Sequence, residues 1–271
     1  ATGLFWQTFD RFCKDFPSMD FRLPRDVGLG TRLGPCTLDC VLGQGGRGKV
    51  YGAAIDRSGA REAVKAIAKS AITQCKSASA LYREVDHHRR LEHEHVVRLL
   101  GVLHGPLHVF VRMEDASHGN LFKLMQSATE SIFETDAKRY QGQLSDAVVY
   151  CHSQGVAHRD LRPENIALDA SGLNVKVMDF ASSVRATGPR TDVVGGLPCI
   201  APETLLAGDG FPYEPAGVDI WACGVVLIDL LLGLNHFSQL LGWEPATRVS
   251  PKRHGELSQY FGDALAIQRI L

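Results

Sequence analysis

The sequence predicts an α+β chain of two lobes, a small strand-rich one with one prominent helix and a larger, mainly helical one. Two observations carry this prediction. From Cys36 to Met113, short β-branched runs alternate with glycine or polar turns: LDCVLG, GKVYGAAI, REAVKAIA, VVRLLGVL and LHVFVRM. Beyond residue 119 the apolar spacing becomes helical, in NLFKLMQSA, DAKRYQGQLSDAVVYCHS and VDIWACGVVLIDLLL. The change of period divides the chain into lobes at 36–115 and 116–271, with any site at their seam.

At the N-terminus, Phe5, Phe9, Phe12 and Phe16 fall on one face of an amphipathic helix that Pro17 stops. Residues 1–35 therefore read as a helical extension, its helix docked on the main body. Within the strand-rich part, SASALYREVDHHRRL is the one helical interruption. Its Leu81, Glu84, Val85, His88 and Leu91 share the inward side, so an acid faces the core there.

The bulk composition excludes several classes. A chain of 271 residues, 45% hydrophobic and 22% charged, has ample material for a globular core. Its formal net charge of −1 supplies no basic field for nucleic acid or anionic lipid. The longest apolar stretch, VVLIDLLLGL at 225–234, is too short to span a bilayer and carries Asp229, so no membrane span is expected. The 7 cysteines include no paired CxxC zinc pattern; Cys36 and Cys40 (CTLDC) are the closest-spaced. Reduced thiols and a cytoplasmic location are the expectation. The start at Ala1, without a charged-then-apolar leader, reads as a processed chain or fragment, which leaves a secreted or organellar location open.

Three stretches carry chemistry. In GQGGRGKVY, Gly43, Gly45 and Gly48 form a G-x-G-x-x-G array, which hairpin turns and dinucleotide folds also use. A dinucleotide site would open a helix at this point, whereas KVYGAAI reads as a strand. Strand, glycine turn and strand suit a flap whose backbone N–H groups cover phosphates. Lys65, in the strand AVK, is by default a surface lysine. However, the inward Glu84 needs a partner, and Lys65 is the obvious one. HRDLRPEN at 158–165 is either a solvated loop or a site where Asp160 and Asn165 serve an oxyanion and a metal.

With MDFA at 178–181, HRDLRPEN resembles the catalytic set of the protein-kinase family, and the chain is identified as a suspected member with a bilobal protein-kinase-like fold. APE at 201–203, DIWACG at 219–224, RLEHEHVVRLLGV and VRMEDASHGNL follow the family's order over residues 43–224. The loop resembles the Ser/Thr form, and AVVYCHSQGVAHRD the calcium/calmodulin- and AMP-regulated branch.

The resemblance implies transfer of the γ-phosphate of Mg-ATP to a protein Ser or Thr hydroxyl. Gly43, Gly45 and Gly48 would admit the phosphates, Lys65 would hold them and pair with Glu84, and Asn165 and Asp179 would carry Mg²⁺. Asp160 would take the hydroxyl proton. Arg162, where Ser/Thr members use lysine, would neutralise γ-phosphate charge. Val50, Ala63, Met113, Glu114 and Ala116 would enclose the adenine, with Ala167 at its floor. Glu164 stands where some family members bind a substrate arginine, which implies a basic residue upstream of the target hydroxyl. The oligomeric state is not readable.

The chain departs from the pattern at Ala181 (for glycine), Gly196 (for the threonine that bonds the catalytic aspartate), Arg47 at the flap tip and His88 (for an aliphatic residue). These departures keep open the alternative of a pseudokinase acting as a nucleotide-binding scaffold. Phosphotransfer to a small molecule fits less well with APE and DIWACG, which build a peptide platform. Few residues remain after Phe237, so the C-terminus reads as shortened or incomplete, and Arg248, Arg253 and Arg269 are the candidates to pair with Glu203. Arg159 beside Asp160 makes Thr187 or Thr191 the expected phosphate acceptors among Ser182, Ser183, Thr187 and Thr191.

Overall fold

Alternation of apolar residues in the first half builds one six-stranded antiparallel sheet, in the order β1-β2-β3-β4-β6-β5. Its strands are β1 (Arg32–Leu33), β2 (Cys36–Gly45), β3 (Gly48–Ile55), β4 (Arg61–Ala68), β5 (Leu99–His104) and β6 (His108–Glu114). The computed structural model describes residues 2–16, 23–45, 48–56, 58–72, 75–116, 118–128, 132–207, 210–243 and 252–262. Arg47, Arg248 and Arg269 lie outside these residues.

The two-residue period gives the sheet two purposes. Val64 and Ala66 of β4 turn to one face, packing with Leu38, Tyr51, Leu103 and Phe110. Ala63 and Lys65 turn the other way and line a cavity at the seam of the lobes, and Ile67 packs on that face with α2 (Cys75–His88). In register, Lys65 lies between Val50 of β3 and Val111 of β6. Leu81 and Val85 of α2 pack with Ile67, Val102, Val109 and Val111, completing a second core.

A third layer covers α2. The phenylalanine face of α1 (Thr2–Asp15) places Phe9 and Phe12, with Phe16 just beyond the helix, in that same core. The Phe12 ring is 1% exposed and lies 5.1 Å from Phe16 and 5.4 Å from the His104 ring. Tyr82 of α2 donates its hydroxyl to Asp15 at 2.6 Å, and His104 Nε2 donates to the Phe16 carbonyl at 2.7 Å. The extension thus braces the outer side of α2.

The second lobe is helical, with α3 (Leu121–Ser127), α4 (Glu134–Ser153), α5 (Pro202–Leu206), α6 (Pro215–Leu232), α7 (His236–Leu240) and α8 (Lys252–Gly262). Asn120 caps α3 by accepting from Lys123 N at 2.9 Å. Ala137, Tyr140, Leu144, Ala147, Val148 and Cys151 form the buried stripe of α4, which packs on α6. Four short strands, β7 (Val156–Ala157), β8 (Ile166–Leu168), β9 (Val175–Val177) and β10 (Val184–Arg185), pair as β7–β10 and β8–β9. These two ribbons hold residues 158–165 beside residues 178–183, and a bridge from Val96 to Val177 ties them to the segment after α2.

Helix α6 has 18 residues of mean hydropathy 1.8, long and apolar enough to cross a membrane by length and composition, and longer than 225–234 alone implies. Half of it is buried inside the fold; its Asp219 accepts backbone hydrogen bonds from His158 and Arg159, and its Asp229 accepts one from Phe237 in α7. That is how a core helix behaves.

Truncating Phe12 to alanine removes the centre of the contact between α1 and α2 and is expected to cost about 3 kcal/mol. Amide exchange along α1 should quicken in Phe12→Ala while α4 and α6 keep their protection. Unchanged exchange in α1 would show that the helix does not depend on this ring.

Candidate active site

Burial dictates the first contact. Side chains of Lys65 and Glu84 are only 10% and 8% exposed, and they pair at 2.6 Å across β4 and α2. Asp179 completes a triad, its Oδ1 3.3 Å from the same ammonium. Burial by itself would lower the Lys65 pKa, but the carboxylates of Glu84 and Asp179 outweigh it and raise the pKa. For Asp179 burial pushes up, yet the Lys65 ammonium prevails and holds it below the usual carboxylate range.

Residues 158–165 are fixed from below by one buried acid. Asp219 of α6, 1% exposed, accepts from His158 N at 2.8 Å and Arg159 N at 2.7 Å. His152 Nε2 lies 2.8 Å from the same carboxylate. His158 donates from Nε2 to the Met178 carbonyl at 2.9 Å, and its Nδ1 accepts from Asp160 N at 3.2 Å, which fixes the tautomer. Asn165 Nδ2 donates to Asp160 at both its backbone carbonyl (2.8 Å) and Oδ2 (3.2 Å). Burial raises the Asp160 pKa, against the nearby charge of Arg162.

The cavity at the seam has a volume of about 390 Å³, within the range of small-ligand sites. Gly43, Val50, Ala63, Lys65, Met113, Glu114, Ala116, Asn165 and Asp179 all line it. A Cβ on Gly43 would meet nothing within 4 Å, so backbone there is open to a ligand. Gly48 has a different reason to be glycine: at φ +153° a Cβ would lie 2.4 Å from the Ala66 carbonyl oxygen. Gly45 pairs with Gly48 at the end of the hairpin.

Ala167 departs from its expected place. It is 1% exposed, pairs with Lys176 on β9 and bridges to Asn120, and does not line the cavity. A methyl group is too short to reach the cavity from that strand, and Met178 lines it.

A magnesium nucleotide fits this donor set. Asn165 spends its amide N–H groups on Asp160, which leaves its carbonyl oxygen for a cation, and the Asp179 side chain is 45% exposed. Among the described residues no group of three or more His, Cys, Asp or Glu could hold a metal alone. A cation here would complete its shell with phosphate oxygens.

The departures at Ala181 and His88 have local physical accounts. Asp179 takes the left-handed conformation (φ 62°, ψ 72°), and Phe180–Ser182 wind into a 3₁₀ turn that alanine enters without strain. His88 is buried, donates from Nε2 to the Val97 carbonyl at 2.5 Å and lies 5.0 Å from the Phe180 ring. His158 lies 5.0 Å from that same ring, so His88, Phe180 and His158 form a column from α2 to the catalytic loop. Burial pushes the His88 pKa down to about 4, so the ring is neutral at physiological pH.

Arg162 is bound in a two-point fork to Glu164, Nε to Oε2 at 2.7 Å and Nη2 to Oε1 at 2.6 Å. Arg159, expected to receive a phosphate, already donates to Asp192 Oδ2 at 2.9 Å, the Tyr213 hydroxyl at 2.8 Å and the Ser182 carbonyl at 3.0 Å. Ser183 is 3% exposed and donates to the Phe180 carbonyl. Arg253 pairs with Glu256 at 2.5 Å and not with Glu203, which has no ion-pair partner among the described residues.

Sequence reasoning anticipated the packing of His88 against Phe180 but overlooked the bonds to Asp219, Asp192 and Tyr213 and the place of His158 in the ring column. An aspartate inside the apolar run VDIWACGVV was the legible sign for Asp219, because a buried carboxylate must have donors. Nothing local marks Asp192 or Tyr213.

A family profile described as protein kinase domain matches residues 37–250. CBL-interacting protein kinase 30 of Oryza sativa subsp. japonica is 40% identical over 212 residues, 76% of this chain and 44% of that protein. CBL-interacting serine/threonine-protein kinase 1 of Arabidopsis thaliana is 40% identical over 213 residues, 77% of this chain and 47% of that protein. The chain therefore spans less than half the length of these two relatives.

The histidine column has a pH signature. With a folded pKa of about 4 against about 6.5 unfolded, His88 binds its proton less well when folded. Its contribution to stability is complete above pH 6.5 and is lost as pH falls towards 4. Replacement His88→Leu should therefore improve relative to wild type by about 2–3 kcal/mol between pH 7 and pH 4.5 in chemical denaturation. A difference that stays constant over that window would refute the assignment of a neutral buried imidazole.

Proposed function

From a chain that belongs to the protein kinase family, we propose an ATP-dependent serine/threonine protein kinase that phosphorylates protein hydroxyls. The single observation that supports this most is the triad of Lys65, Glu84 and Asp179 beside the Asp160–Asn165 pair. Every charged position that phosphoryl transfer needs is filled and oriented.

Lys65, held by Glu84, places a fixed cation where α- and β-phosphate oxygens would lie. Asp179 and Asn165 would hold Mg²⁺, which when bound neutralises phosphate charge. Open backbone at Gly43 lets the flap approach the nucleotide, while Val50, Ala63, Met113, Glu114 and Ala116 flank its base. Asp160 is oriented by Asn165 and accepts the proton of a serine or threonine hydroxyl as that oxygen attacks in line. Burial makes Asp160 a stronger base than an exposed aspartate, and Asp219 keeps its loop in place before substrate arrives. An upstream basic residue on the substrate would have to compete with Arg162 for Glu164.

Two substitutions test the reading, in a Mg²⁺-dependent assay of phosphate transfer from labelled ATP to a mixed Ser/Thr peptide pool. Asp160→Asn should lower turnover by at least about 100-fold while sparing ATP binding. Lys65→Met should weaken both nucleotide binding and turnover, since it leaves Glu84 buried without its partner. Unchanged turnover in Asp160→Asn would sink the assigned base. ATP binding by the wild-type chain with no transfer would favour a nucleotide-binding scaffold.

A further inference from the structure

Glu164 lines the seam cavity, and each oxygen of its carboxylate accepts a hydrogen bond from Arg162. The fork leaves one guanidinium nitrogen, Nη1, outside the pair. That nitrogen occupies the space above Gly196: a Cβ built there would lie 2.4 Å from Nη1 and 3.4 Å from Cζ. Gly196 belongs to the segment leading to Ala201–Pro202–Glu203. Arg162 is thus clamped between a carboxylate and a position where no side chain stands.

An isolated arginine tip would move aside for a methyl group at little cost. Here the move is opposed, because displacing Nη1 turns the planar guanidinium and strains its two hydrogen bonds to Glu164. The pair is about one-third exposed on both sides, 32% for Arg162 and 35% for Glu164, so an incoming peptide can reach it.

We propose that Arg162 is a built-in occupant of the Glu164 carboxylate, admitted by Gly196, and that this pair removes preference for a basic residue upstream of the phosphorylated hydroxyl. The proposal rests on the kinase reading for its biological meaning, but the pairing itself does not. A substrate arginine has to share or displace an internal fork that already neutralises this carboxylate, so its gain over a neutral residue is small. Gly196 is the positioning residue, since it alone makes room for Arg162 to lie in the pair.

The experiment compares two fluorescent Ser peptides that differ only in one upstream residue, arginine or alanine. Their binding is measured by anisotropy to the chain saturated with a non-hydrolysable ATP analogue, with turnover measured in parallel. Wild type should bind the two within about threefold of each other, and Arg162→Lys/Gly196→Thr should favour the arginine peptide by about tenfold or more. Gly196→Ala, the milder variant, should lower the melting temperature in the Arg162 background and not in the Arg162→Lys background. Additive melting shifts would overturn the pairing. A wild type that already binds the arginine peptide about tenfold more tightly would overturn its role in specificity. If the binding and melting results hold but no variant or wild type transfers phosphate, the kinase reading fails and the pair stands.

Discussion

A buried ammonium facing a buried carboxylate is the constraint on which the rest of this structure hangs. Neither Lys65 nor Glu84 can be left alone at that depth without a penalty of several kcal/mol, so α2 has to lie against β4 at one rotation and one height. His88 lies one helical turn beyond Glu84, and its position follows from the same placement. Through His88 the ring of Phe180 is seated, and through Phe180 the ring of His158. Asp179, the neighbour of Phe180, is thereby delivered to within 3.3 Å of Lys65. The phenylalanine face of α1 presses on the other side of α2, so a segment far from the chemistry helps to hold the same geometry.

Around that constraint, the charged side chains of the catalytic loop are given internal partners with few exceptions. Arg159 is held by Asp192 and Tyr213, Arg162 by Glu164, and the backbone of His158 and Arg159 by Asp219. Asp160 is bonded only along one side, by Asn165 and through its own N–H, and Asp179 keeps nearly half of its side chain accessible. Electrostatic preorganisation has this form: groups that position are saturated, while groups that would meet a reacting hydroxyl or a cation retain unused capacity. The acid on Arg159 deserves the same reading. The Asp192 carboxylate pairs with Arg159 and its carbonyl accepts from the Tyr213 hydroxyl, so the unmodified chain is tied to the catalytic loop at this residue.

The replacements that made the sequence look irregular lose that character in three dimensions. Ala181 enters a 3₁₀ turn because Asp179 supplies the left-handed residue that precedes it. His88 remains an apolar spacer in practice, neutral by burial and satisfied by the Val97 carbonyl. Gly196 and Arg162 stand at opposite ends of one contact, and neither is intelligible alone.

By itself the sequence determined whatever depends on neighbours along the chain. The two-residue period of β3 and β4, the inward stripe of α2 and the apolar stripe of α4 are local patterns, and they placed the strands and helices before any coordinates. Burial logic went one step further and joined Lys65 to Glu84, because the helix stripe left an acid facing inward and Lys65 was the obvious cation to answer it. Tertiary structure alone decided the distant partners of the catalytic loop: Asp192 and Tyr213 for the Arg159 side chain, and Asp219 for the backbone of His158 and Arg159. It also withdrew Ala167 from the cavity. The reason is physical: periodicity fixes which way a side chain points from its own element, whereas a loop side chain finds its partner by distance through space. That distance exists only after β7, β8, β9 and β10 have brought residues 158–165 and 178–203 together.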